Sequence, residues 1–140
     1  MSKIAVVFWS GTGNTAAMAK AVEEGAKAAG ADVTLFSSDD FTTDMVGQYD
    51  AIAFGCPAMG AEVLEETSFE PMFSAVENSL SGKKIAIFGS YGWGDGLWMR
   101  DWEDRCRAAG VNLVADGLMA NNAPSDSDLD ECKSLGRALC

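Results

Sequence analysis

The chain has 140 residues, 48% of them hydrophobic, with 21 acidic against 10 basic side chains, no histidine and a formal charge of −11. That length fits one domain, taken as residues 1–140, large enough to bury a core of its own. The acidic balance argues against nucleic acid or an anionic membrane as partner and favours basic-faced proteins, while the missing histidine removes the commonest general base and zinc ligand.

No apolar run approaches the ~20 residues that span a bilayer. The opening MSKIAVVFWS has too short an apolar stretch for a secretory signal. A cytoplasmic, monomeric protein is expected. Cys56, Cys106, Cys132 and Cys140 form no C-x-x-C pair and are expected to be free thiols.

IAVVFW, Ile4 to Trp9, is a continuous apolar run, as in a strand buried on both faces. From Asn14 a helix sets Met18, Val22, Ala26 and Ala29 at helical spacing and stops at Gly30. DVTLF, Asp32 to Phe36, reads as the second strand, and the turn-rich stretch after it leaves room for a short helix near Thr43 to Gly47. AIAFG, Ala51 to Gly55, is the third strand, followed by a helix around Phe69 to Asn78. KIAIFG, Lys84 to Gly89, is the fourth, followed by a helix from Leu97 to Ala109 closed by Gly110. VNLVADGLM reads as one fifth strand, and a final helix carries Leu129, Cys132, Leu135 and Leu139 on one face. Strands alternating with helices predict a parallel sheet covered on both faces.

In such sheets ligands bind beyond the carboxyl ends of the strands. Three loops there have unusual compositions: Ser10 to Thr15, Pro57 to Glu62, and Ser90 to Gly96. They converge if the strand order is 2-1-3-4-5, which periodicity alone does not supply.

The first loop opens a helix, whose free N–H groups and partial positive charge attract anions. Gly11 and Gly13 let the backbone approach, and Ser10, Thr12, Asn14 and Thr15 add side-chain donors, with no basic residue before Lys20. Hydrogen bonds to a charged acceptor contribute about 1.5–3 kcal/mol each. About five give roughly 7–15 kcal/mol before ordering costs, a range that includes the ~12 kcal/mol of nanomolar binding. A Walker loop would need G-K-[ST]. The formal G-x-G-x-x-A match keeps a dinucleotide site open, with Asp39 as its acidic residue.

The second loop offers Met59 beside Gly60, and the third offers Tyr91 and Trp93 among glycines. Trp98 and Trp102, four apart on a helix, read as packing residues. Trp9 ends a strand beside the first loop and fits either core or site.

Taken together, WSGTGNT, GCPAMGAEVLEE and FGSYGWGDGLWMRDW closely resemble the flavodoxins, the short-chain clostridial type in particular, in order over nearly the whole chain. The resemblance implies an α/β, flavodoxin-like, doubly wound five-stranded parallel sheet with helices on both faces. The order 2-1-3-4-5 belongs to that family and comes with the resemblance. It also implies a non-enzymatic, low-potential, one-electron carrier that binds FMN non-covalently and moves between semiquinone and hydroquinone to serve redox partner proteins.

By the same resemblance, Ser10, Gly11, Thr12, Gly13, Asn14 and Thr15 hold the flavin phosphate. Met59 and Trp93 cover the two ring faces, Glu62 accepts from flavin N3, and the Ser90, Tyr91 and Gly92 backbone meets the pyrimidine end. The Gly60 carbonyl turns towards N5 on reduction. Pro57, Ala58, Ala61, Gly94 and Asn122 complete the contact set. Ala61 departs from the Asp, Ser or Gly of relatives: its side chain cannot hydrogen-bond, and it tolerates positive φ poorly. Two other readings stay open: an NAD(P)H-dependent flavin reductase of the same fold, and a dinucleotide-binding module without flavin.

Overall fold

The strands alternate their side chains between two helical layers, and this alternation organises the whole chain. The computed structural model describes residues 2–140. Its strands are β1 (Lys3–Phe8), β2 (Asp32–Ser37), β3 (Ala51–Gly55), β4 (Lys84–Tyr91), β5 (Asn112–Leu113) and β6 (Leu118–Asn121). The helices are α1 (Asn14–Ala28), α2 (Thr43–Val46), α3 (Phe69–Val76), α4 (Leu97–Ala108) and α5 (Asp126–Ala138). The sheet runs β2-β1-β3-β4-β5 with all pairs parallel, and β6 also pairs with β4.

On one face Val7, Phe54, Ile85 and Ile87 pack against Phe69, Phe73, Trp98 and Trp102 of α3 and α4. On the other, Ile4, Val6, Ala53, Ala86 and Phe88 pack against Met18, Val22 and Ala26 of α1 and Cys132, Leu135 and Leu139 of α5. Burial on both faces explains why these strands read as unbroken apolar runs. Trp98 and Trp102 are each 1% exposed, as packing residues should be. Phe54, Phe69, Phe73 and Trp102 meet mostly edge to face, with ring centroids 5.1–6.4 Å apart.

The fifth strand differs from expectation, being two short pieces on either side of Val114 to Gly117. The Gly117 N–H leaves the ladder and donates to Glu103 Oε2 at 2.7 Å, and Met99 of α4 fills the space where a Gly117 side chain would stand. β5 continues the sheet beside the start of β4, and β6 resumes beside its end. The other elements fall within a few residues of their expected bounds, though β4 runs two residues further, carrying Ser90 and Tyr91 into the sheet.

Candidate functional site

Beyond the carboxyl ends of β1, β3 and β4 lies a cleft of about 220 Å³. Trp9, Gly11, Thr12 and Asn14 line it from the first loop, and Pro57, Ala58 and Met59 from the second. Ser90, Tyr91 and Gly92 line it from the third, with Asn122 from the chain after β6. No lysine, arginine or carboxylate is among these lining residues.

The first loop is held in shape by its own serine. Ser10 Oγ accepts the N–H of Gly13 at 3.1 Å and of Ala16 at 3.2 Å. Gly13 takes φ 94° at the helix cap, a conformation that favours glycine. Among the described residues the N–H groups of Thr12, Asn14 and Thr15 have no protein acceptor. They sit at the positive end of a 15-residue helix. A bare Cβ on Gly11 would lie 3.0 Å from the Trp9 indole, so glycine lets that ring close over the loop. Thr15 is buried, and its hydroxyl faces Ser90.

The second loop is a small hairpin. The N–H of Met59 donates to the Val63 carbonyl and that of Val63 to the Met59 carbonyl, both at 2.9 Å. Gly60 has φ 51° and Glu62 φ 56°, while Ala61 is not among the positive-φ residues. The turn therefore asks nothing of Ala61 that alanine resists. The Ala58 N–H donates to the Ser90 carbonyl at 3.1 Å, joining the second loop to the third.

Several expected site residues lie outside the cleft lining. Glu62 turns towards α4, where its Oε1 accepts the Leu97 N–H at 3.2 Å and its carboxylate fills the space beside Gly94. Trp93 is 52% exposed at the rim. Gly60, Ala61 and Gly94 also stand outside the lining, and Ser10, Gly13 and Thr15 act behind it. Asn122 is tied in firmly: it has φ 58°, and its N–H donates to the Tyr91 carbonyl at 2.7 Å.

Three features take their place only in the structure. Trp9, whose position in the sequence fits either core or site, lines the cleft. The Thr15–Ser90 pair leaves no local trace, because its members belong to different elements. Glu65 is 4% exposed and accepts from the N–H groups of Thr67, Ser68 and Phe69 and from the Thr67 hydroxyl. Burial alone would raise its pKa, but these hydrogen bonds together outweigh that and hold it below the ordinary value. A carboxylate just ahead of a helix start was its only sequence signal.

An uncharged cleft with a helix N-terminus at one end and an aromatic, methionine-bearing wall beside it suits an anionic, flat-ringed ligand such as a flavin nucleotide. The unpartnered N–H groups fit its phosphate. The chain matches the sequence model of the Flavodoxin family over residues 6–136. It is 46% identical to a flavodoxin of Megasphaera elsdenii and 43% identical to one of Clostridium beijerinckii, with 96% of both chains covered in each case. The solution structure of the two-electron reduced Megasphaera protein superposes with a TM-score of 0.90 at 45% identity, covering 97% of each chain. The chain belongs to the flavodoxin family. Flavodoxins are FMN-binding electron carriers that serve redox partner proteins, not enzymes.

Proposed function

We propose that this chain works as a single-domain, monomeric carrier of low potential in the cytoplasm, with its three convergent loops as the FMN site. FMN, when bound, supplies the redox chemistry by accepting and releasing single electrons. The observation that carries the reading is the set of unpartnered N–H groups on Thr12, Asn14 and Thr15 beside a cleft lined without charge.

Those N–H groups, with the Thr12 hydroxyl and Asn14 amide, hold the phosphate, while Ser10 and Gly13 keep the loop in shape. Met59 and Trp93 flank the ring, with Pro57, Ala58, Gly92 and Gly94 around it. The Ser90–Gly92 backbone and Asn122 stand at the pyrimidine end. Glu62 can keep its bond from Leu97 and accept one more from flavin N3, because a carboxylate has about four lone-pair sites. The hairpin allows the Gly60 carbonyl to hold a proton at N5, with Ala61 following the turn.

The protein makes added negative charge on the ring unfavourable. One unit charge at about 10 Å costs roughly 0.4 kcal/mol even at the dielectric of water. An overall charge of −11 multiplies that effect. A phosphate loop without lysine adds nothing to oppose it. The same acidic surface favours basic-faced redox partners in transient complexes.

The test is to add FMN to the purified protein and follow its visible spectrum during stepwise reduction. Quenched flavin fluorescence and two resolved one-electron steps are expected. Fast bleaching by NADPH alone would overturn the carrier reading in favour of a reductase.

A further inference from the structure

The hairpin that presents Met59 and Gly60 stands on two feet, Cys56 and Glu65. The Glu65 N–H donates to Cys56 Sγ at 3.3 Å, closing the loop at its base. Cys56 is fixed in turn: its N–H donates to the Phe88 carbonyl at 3.0 Å, and its carbonyl accepts Trp98 Nε1 at 3.2 Å. The Glu65 foot depends on its own carboxylate. Oε1 accepts Ser68 N at 2.7 Å and Phe69 N at 2.9 Å, while Oε2 accepts Thr67 N at 2.8 Å. The Glu65 carbonyl takes the Glu70 N–H at 2.8 Å.

Glu65 thus does the work expected of the N-cap of α3. Ser68 holds that position but makes no side-chain cap bond. Its hydroxyl bonds to Asp39 Oδ1 at 2.6 Å and pairs with Ser38 Oγ at 2.5 Å. Helix start and hairpin foot therefore meet in one buried side chain. Leu64, 6% exposed, plugs the core between that foot and the hairpin.

We propose that Glu65 is a positioning residue of the flavin site: by capping α3 from inside the loop, it fixes the foot of the Met59–Val63 hairpin and so sets where Met59 and Gly60 stand. This rests on the reading of the cleft as the FMN site. A carboxylate bound by several donors cannot be replaced by a neutral amide without reversing part of its hydrogen bonding. Otherwise the hairpin is held by its reciprocal Met59–Val63 pair, by the Ala58 N–H on the Ser90 carbonyl and by the Leu97 N–H on the Glu62 carboxylate, none of which bears on residue 65.

The experiment compares Glu65→Gln with Glu77→Gln, which weakens α3–α4 pairing through Arg105 without touching the hairpin. Three readouts are taken: amide hydrogen exchange at Met59 and Val63 without flavin, the FMN dissociation constant, and the midpoint potentials of bound flavin. In Glu65→Gln the two amides should lose protection, the dissociation constant should rise about tenfold, and the potentials should shift. In Glu77→Gln all three should match the wild type. If Glu65→Gln fails to fold, Glu65→Asp is read the same way, since its shorter carboxylate cannot reach all its donors at once. Protection, affinity and potentials no different from Glu77→Gln would overturn the proposal. A wild-type protein that binds no FMN would overturn the cofactor reading itself, whatever the amides of the variants show. Protected hairpin amides in Glu65→Gln, with FMN bound normally by the wild type, would overturn the positioning role alone.

Discussion

Thr15 and Ser90, 75 residues apart, share a buried contact: their hydroxyls lie 3.2 Å apart, and the Ser90 N–H donates to Thr15 Oγ1 at 3.3 Å. The Ser90 carbonyl accepts the Ala58 N–H. All three loops are therefore joined through one residue at the end of β4. Thr15→Val keeps the shape but leaves a buried N–H unpaired, at a cost of about 1–3 kcal/mol. Urea denaturation should read that loss, and a flavin titration should show weaker binding. Thr15→Ser should retain most of both.

Helices α1 and α5 touch backbone to backbone. A Cβ on Gly136 would sit 2.1 Å from the Val22 carbonyl oxygen, and one on Gly25 2.0 Å from that of Lys133. Gly136→Ala should destabilise by about 1–3 kcal/mol through overpacking. Gly47 is the counter-case, with φ −71° and open space around its missing side chain. Gly47→Ala should stabilise by about 0.4–1 kcal/mol by restricting the unfolded chain. Thermal melts of the two variants should move in opposite directions.

Acid should unfold the protein through Glu65 and Glu70. The Glu70 pKa is lowered chiefly by hydrogen bonds from Arg105, against burial. Glu65 is lowered despite burial, by its bonds from Thr67, Phe69 and Ser68. Both therefore bind their proton more weakly folded than unfolded, where the ordinary value is 4.5. Their stabilisation is full above that value and is lost as pH falls through the folded pKa values below it. A melting series from neutrality to about pH 3 should show this fall, and Glu65→Gln should flatten its acid end.

Thiol reactivity should divide the four cysteines. Burial pushes Cys56, Cys106 and Cys132 up to about 12, so their thiolates are scarce and inaccessible. Cys140 is exposed, with its Sγ 3.6 Å from the Ala26 carbonyl oxygen. An aromatic disulfide reagent should titrate one thiol in the native protein and four in denaturant.

Partner reduction should slow as salt rises, because a charge of −11 steers encounter only within the screening length. That length is about 10 Å at 0.1 M salt. Stopped-flow rates with a basic-faced partner should fall steeply between low and physiological ionic strength. Rates indifferent to salt would overturn the steering.

Much of this was legible in the sequence, for identifiable reasons. Runs such as IAVVFW and AIAFG are apolar at every position because both faces of the sheet are covered, and that pattern is local. The first loop was readable because its chemistry belongs to consecutive residues: two glycines, several hydroxyls and a helix start. What could not be read depended on partners remote in sequence. VNLVADGLM reads as one strand because nothing in it reveals that Glu103 takes the Gly117 N–H. The resemblance places Glu62 at flavin N3, and only the structure adds that its carboxylate also accepts the N–H of Leu97, 35 residues away.

By itself the sequence determined the layered α/β class, the charge and the composition of each loop, since these follow from periodicity and residue type. The tertiary structure alone decided which loops share a wall, that Trp9 lines the cleft, that Ser90 binds the loops together, and that Glu65 caps α3 from within a loop. The joining of the loops rests on single hydrogen bonds between distant segments, Ser90 with Thr15 and Ala58 with Ser90. Such bonds exist only once the sheet order has brought the segments within about 3 Å of one another.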